Sequence, residues 1–215
     1  MMRFETLDEI AKRAGTDKQE HGYTAFYDDL FFPIRFSPIR MLEIGFAKGR
    51  SAKMFAEFFP MAVIHVLDHS PDMSYYNRFP KQLRKRIIVH QGDQGSKEDI
   101  GRMIDAVANG PSNAEKRGYR QFHVIIDDGC HVPSYQIKSF EMLWEHLAPG
   151  GYYVIEDMHV GYEKGQHETM EYFMEKVHHI NSKRGDYDGD IEYVSFPYNL
   201  IVTKRKDLYK RFSVI

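Results

Sequence analysis

From Ile39 onward the chain is a succession of short apolar runs, each ending near an acid and most followed by a stretch with helical spacing. Ile39 to Ile44 carries Glu43 near its end, Ala62 to Leu67 stops at Asp68, and Arg86 to His90 leads to Asp93. His123 to Asp127 stops at the pair Asp127 and Asp128, and Tyr152 to Glu156 stops at Glu156 and Asp157. Strand-length runs alternating with helices predict an α/β, Rossmann-like sheet, mostly parallel, with helices on both faces. In such sheets ligands bind beyond the carboxyl ends of the strands, so the acidic endings gather on one side. Ile191 to Phe196 and Leu200 to Lys204, on either side of Pro197, Tyr198 and Asn199, predict a C-terminal antiparallel hairpin.

The 215 residues suffice for one domain with an appendage. Residues 1–37 read as an N-terminal helical cap on the substrate side, and 38–215 as the ligand-binding domain. Tyr23, Phe26, Tyr27, Phe31, Phe32 and Phe36 could cap the sheet or line a pocket; left exposed, they would favour a homo-oligomer. A net charge of −2 gives no global electrostatic case for nucleic acid or an anionic membrane. The basic run from Lys81 to Arg86 reads as a solvated helix end rather than a phosphate contact. No segment approaches the roughly 20 apolar residues that span a bilayer, and the N-terminus has no apolar signal core. The single cysteine, Cys130, excludes an intrachain disulfide and suits a reducing, cytoplasmic setting. It reads as a small residue in a tight turn rather than a nucleophile.

After the first strand, Gly45, Ala47 and Gly49 let the backbone turn sharply and approach a ligand before a helix begins near Arg50. Ala47 takes a glycine position of the dinucleotide fingerprint. Glu43 would repel a pyrophosphate but suit an ammonium or a sulfonium. Asp68, about 20 residues on, is placed to accept from ribose hydroxyls, and Asp93 from an adenine amino group. These acids could instead simply cap the following helices, but three in succession favour a nucleoside, and the set fits S-adenosylmethionine better than NAD.

Neighbouring strands four and five, about 4.8 Å apart, would let Asp128, Glu156 and Asp157 converge. Such a group of carboxylates repels itself unless a cation sits among them. Oxygen donors without clustered cysteines suit Mg²⁺. Asp127 and Asp128 point to opposite faces if the strand continues, so one of the two is a ligand. His131 is better placed as a general base than as a magnesium ligand.

Gly15-Thr16-Asp17-Lys18, His21-Gly22-Tyr23-Thr24 and Tyr27 resemble the N-terminal motif of the macrolide-sugar O-methyltransferases. Leu42-Glu43-Ile44-Gly45, Gly92-Asp93-Gln94, Ile125-Ile126-Asp127-Asp128-Gly129-Cys130-His131, Pro149-Gly150-Gly151 and Ile155-Glu156-Asp157 follow in order. The resemblance spans roughly residues 6 to 162, with Cys130 where that family usually carries serine. It implies a class I methyltransferase sheet, S-adenosylmethionine and Mg²⁺ as cofactors, and transfer of a methyl group to a sugar hydroxyl of a glycoside, polysaccharide or natural product. It further implies Asp128, Glu156 and Asp157 as metal ligands, His131 as base with Asp128 beside it, and Glu43, Gly45, Asp68, Asp93 and Gln94 around the cofactor. Tyr23 and Ser51 lie nearby, and Gly49 and Asp127 are assigned to the same cofactor side.

Other readings compete. A class I methyltransferase could act on a catechol, another small molecule or a nucleic acid; catechol enzymes pair magnesium with a lysine base, and no lysine accompanies the 127–131 motif. A nicotinamide oxidoreductase is disfavoured by Glu43 and the altered glycine pattern. A non-catalytic adenosyl-binding module has no use for the convergent acids and His131.

Overall fold

The computed structural model describes residues 4–109, 121–182 and 189–207. The polar stretch expected to loop out after Ala108 lies largely outside them. Within these bounds one seven-stranded sheet runs in the order β3-β2-β1-β4-β5-β7-β6. Its strands are β1 (Arg40–Ile44), β2 (Val63–Asp68), β3 (Ile87–Gln91), β4 (Phe122–Asp127), β5 (Leu147–Ile155), β6 (Ile191–Ser195) and β7 (Ile201–Arg205). β1 to β5 are parallel, and β7 pairs antiparallel with both β5 and β6. The expected hairpin is there, inserted so that its second strand lies inside the sheet and its first forms the edge.

The central strands are buried on both faces, which is why β1 reads as a continuous apolar run interrupted only by Arg40 and Glu43. One layer packs α1 (Leu7–Ala14), α2 (Tyr23–Phe31) and α3 (Arg50–Phe58) against the sheet. Leu7, Ile10, Tyr27 and Phe31 join Met41, Phe55, Ile64 and Val154 in one buried cluster. The other layer holds α6 (Lys97–Asn109), α7 (Pro133–Leu143) and α9 (Glu168–Ser182), with Phe140 and Phe173 against Tyr153 and Ile155. α1 opens with a reciprocal cap in which Thr6 and Glu9 satisfy each other's backbone N–H, and it closes on Gly15 in the left-handed region. That glycine is the first residue of the Gly15–Lys18 turn.

Local details add to these expectations. β5 begins at Leu147, so Pro149, Gly150 and Gly151 lie within the strand rather than before it. The partner register jumps from Phe122↔Leu147 to Val124↔Tyr152, and Gly150 within the irregularity takes a φ of 78°, which glycine tolerates. Two one-turn helices precede β3: α4 (Met73–Tyr76) and α5 (Lys81–Arg84). Within the basic run, Lys81, Arg84 and Lys85 are exposed. Arg86 instead donates to the carbonyls of Ala56, Phe59 and Ala62, closing the end of α3. No helix among the described residues is long and apolar enough to cross a membrane.

Candidate active site

The strand tips are tied to one another. Gly45 N donates to Leu67 O, Asp128 N to Ile44 O and Glu156 N to Asp127 O, each at 2.9 Å. Gly45 has a φ of 94°, and a Cβ there would stand 2.1 Å from the carbonyl oxygen of Asp128. Only glycine permits the β1 turn and the β4 turn to lie this close. Three non-glycine residues at these tips also take positive φ: Ala47 at 46°, His131 at 54° and Asp157 at 57°. Left-handed backbone at such residues is held by its surroundings and collects at functional sites. The last of them, Asp157, opens α8 (Met158–Glu163).

Above the tips lies a cavity of about 930 Å³, at the upper end of the range for ligand sites, about 300–1,000 Å³. One wall is the β1 turn with Gly45, Phe46 and Ser51. Another is the β2 and β3 tips with Asp68, Asp93 and Gln94. A third comprises Asp128, His131, Glu156 and Asp157, and the Gly15–Tyr23 segment closes the remaining side.

Glu43, Gly49 and Asp127, expected to touch the cofactor, have no surface in this cavity. Gly49 is buried beneath the Phe46 ring, where it starts α3 with a φ of 73°. Asp127 is wholly buried because β4 alternates faces: its carboxylate accepts from Ser139 Oγ at 2.6 Å and from Gln94 Nε2 at 3.1 and 3.2 Å. Gln94 Oε1 in turn accepts from Cys130 N at 3.0 Å, so Asp127 braces the acidic turn from behind. Burial is the main cause that lifts its carboxyl to about 6. Glu43 sits behind Ser51, which donates to its Oε1, and its buried Oε2 has no partner. Burial lifts this carboxyl to about 7 in spite of Lys18 and Ser51.

Asp68 and Asp93 do line the cavity while shaping their own turns. Asp68 accepts from Phe46 N and Ser70 N, and Asp93 accepts from Gly95 N, all at 2.7 Å. These bonds fix the carboxylates at the rim, and neither acid caps a helix through its side chain. Cys130 is exposed, and partial desolvation pushes its thiol up, which suits a spacer rather than a nucleophile.

At the acidic wall, ligand atoms of Asp128, His131 and Asp157 lie within 4.8 Å of one another, each residue half-buried. His131 Nε2 is 3.7 Å from Asp157 Oδ2, while His131 Nδ1 is shut away from solvent with no partner. Glu156 lies beside them on the same wall, and donors from the N-terminal segment, whose reach the sequence alone does not show, engage both of its oxygens. Tyr27 OH donates to Oε1 at 2.7 Å, and Lys18 Nζ donates to Oε2 at 2.5 Å. Lys18 also donates to Asp128 Oδ2 at 2.6 Å and stands 3.9 Å from Glu43. Burial alone would lower the lysine's proton affinity; the Asp128, Glu156 and Glu43 charges outweigh it and hold the ammonium well above its ordinary range. Burial lifts Glu156 to about 8. Tyr23, expected at the cofactor, lines the cavity and donates to Asp157 Oδ1 at 2.7 Å. His21 stacks between Tyr23 and His159, which adds two imidazoles to this side.

The cavity thus has the β1, β2 and β3 turns on one side and an oxygen-rich, histidine-bearing wall on the other. Residues 42–158 match the family model described as "Methyltransferase domain", and the chain belongs to that family. It is 36% identical over 168 residues to mycinamicin VI 2''-O-methyltransferase of Micromonospora griseorubida, covering 74% of this chain and 37% of that protein. It is 33% identical to demethylmacrocin O-methyltransferase of Streptomyces fradiae, covering 74% of this chain and 38% of that protein. The chain thus spans less than two fifths of the curated relatives it matches. Among solved structures, MycE methyltransferase in complex with Mg, SAH and mycinamycin VI superposes with a TM-score of 0.77 and 27% identity, over 95% of this chain and 54% of that one.

Proposed function

We propose that this protein transfers a methyl group from S-adenosylmethionine to a sugar hydroxyl of a natural product, with a divalent metal at the acidic wall. The carrying observation is that Asp128, His131 and Asp157 meet on the wall facing the Gly45–Asp68–Asp93 cradle within one cavity. Relatives of this chain are O-methyltransferases by name, and the complex named above contains Mg and SAH.

The donor set fits a hard cation. Asp128 and Asp157 are half-buried carboxylates that reach the cavity, and Glu156 keeps a second lone pair on each engaged oxygen. These three acids would hold the ion. A bound Mg²⁺ would orient the acceptor oxygens and lower the proton affinity of the reacting one. His131 would take the acceptor's proton on Nε2, because Nδ1 is enclosed, and Asp157 would stabilise the imidazolium that results. S-adenosylmethionine, when bound, would supply an electrophilic methyl group to the acceptor oxygen and leave as a neutral thioether. Asp68 and Asp93 would hold the nucleoside, with Gly45 and Ser51 admitting the cofactor close to the backbone.

A lysine-based catechol mechanism gains a candidate in space, since Lys18 reaches Asp128 from 110 residues away. Its ammonium is held by two carboxylates and its proton affinity is raised, which makes it a poor base. Labelled methyl transfer to a panel of deoxy-sugar glycosides, catechols and oligonucleotides, with Mg²⁺ or with excess chelator, tests the proposal. Transfer to a glycoside that stops in chelator is expected. Undiminished transfer in chelator removes the metal, and transfer to catechols alone removes the sugar.

A further inference from the structure

The carboxylate tips of three adjacent strands converge on one side chain that does not belong to the sheet. Lys18 lies in the single 3₁₀ turn Asp17–Gln19, is 1% exposed, and sends its ammonium to Asp128 on the β4 side, Glu156 on the β5 side and Glu43 of β1. Its turn is fastened from two directions: Thr16 Oγ1 accepts from Lys18 N, and Arg50 donates to Gly15 O at 2.8 Å. A fully buried ammonium with three acid neighbours is costly to desolvate, so its place among them needs a reason beyond filling space.

We infer that Lys18 is a positioning residue, whose side-chain nitrogen holds Asp128 in register with Asp157 and His131 so that the wall binds one divalent ion. This rests on the metal reading above. Asp128 Oδ2 and Glu156 Oε2 meet on a single nitrogen, which donates to both and holds them together. The two acids differ in freedom. Glu156 is enclosed and pinned by Tyr27, whereas the Asp128 side chain is 26% exposed. If the ammonium is removed, Asp128 is the acid that swings out, and it belongs to the group within 4.8 Å of His131 and Asp157. The lysine and the divalent ion therefore sit on the acids together. The rival arrangement, in which Lys18 is a stand-in that the ion displaces, predicts the opposite response.

Mn²⁺ binding to the full chain, followed by the loss of the free-ion EPR signal, separates the two without any turnover. In Lys18→Met, which keeps the length and apolar stem, Mn²⁺ affinity is expected to fall at least tenfold. In Lys18→Ala, propylammonium is expected to restore affinity and uncharged propanol to leave it low, a difference that a packing role does not produce. Unchanged or tighter binding in Lys18→Met overturns the inference. Should the variants fail to fold, the wild-type chain still decides. With ¹⁵N-lysine label, the Lys18 ammonium resonance is expected to stay protected from solvent exchange when Mg²⁺ is added; its loss on Mg²⁺ binding means displacement and overturns the inference. A wild-type chain that binds neither ion removes the metal reading and this inference with it, whereas a metal-binding wild type with an indifferent Lys18 removes this inference alone.

Discussion

Glu43→Gln changes one atom in the floor of the site and should change how the fold responds to pH. Glu43 is 1% exposed, accepts one hydrogen bond from Ser51, leaves Oε2 without a partner, and has its cation, Lys18 Nζ, no closer than 3.9 Å. Burial is the largest influence on the carboxyl, which stands at about 7 rather than 4.5. A folded-state value above the unfolded one means that the fold favours the protonated acid. That stabilisation is complete below pH 4.5 and is lost as pH rises through about 7. At 1.36 kcal/mol per pH unit the gap is worth about 3 kcal/mol. Glutamine keeps the shape and an acceptor for Ser51 but cannot ionise. The stability of Glu43→Gln relative to wild type should therefore be about 3 kcal/mol more favourable at pH 8 than at pH 4.5. Urea unfolding of the ligand-free chain at pH 4.5, 6, 7 and 8, followed by the fluorescence of its single tryptophan, Trp144, measures this directly. A difference between the two proteins that stays flat across the range would refute burial as the force acting on Glu43.

His131→Ala should keep cofactor affinity in calorimetry while labelled methyl transfer falls by about 10²–10⁴-fold, the usual worth of a general base. Asp127→Ala strips the acceptor from Ser139 Oγ and the Gln94 amide in a closed interior, and should lower unfolding stability by about 3 kcal/mol in urea titrations. Gly45→Ala forces a methyl group to within 2.1 Å of the Asp128 carbonyl at a φ of 94°. Its melting temperature should drop by about 4 °C or more, since about 1 kcal/mol is worth 2–4 °C at this size.

The sheet was legible because its pattern is local: strand-length apolar runs, each closed by an acid, give both the order of the elements and the side where the ligand lies. The same logic brought Asp68, Asp93, Asp128, His131, Glu156 and Asp157 to one cavity. Alternation along β4 told that Asp127 and Asp128 part company, yet not that Asp127 is sealed under Ser139. That depends on how α7 seats on the sheet. Pro149, Gly150 and Gly151 look like a turn, so the sequence alone starts β5 at Tyr152; the irregularity that absorbs them exists only through pairing with β4. Lys18 escaped for a different reason. The crowding of acids asks for a cation, and the sequence places Lys18 in the Gly15–Lys18 motif, but nothing local tells that this lysine reaches Asp128, 110 positions away. Tyr27 likewise belongs to that motif, but its bond to Glu156 depends on how α2 seats against the strand tips.

Tyr23 and Tyr27 are spaced one helical turn apart and grip consecutive acids, Asp157 and Glu156. The stretch that matches the family description, 42–158, contains neither tyrosine, nor Lys18. A clone trimmed to that stretch would retain the central strands and still lose the three side chains that hold its acidic tips. Grafting experiments among members of this family should carry residues 15–27 along with the acidic tips that they hold.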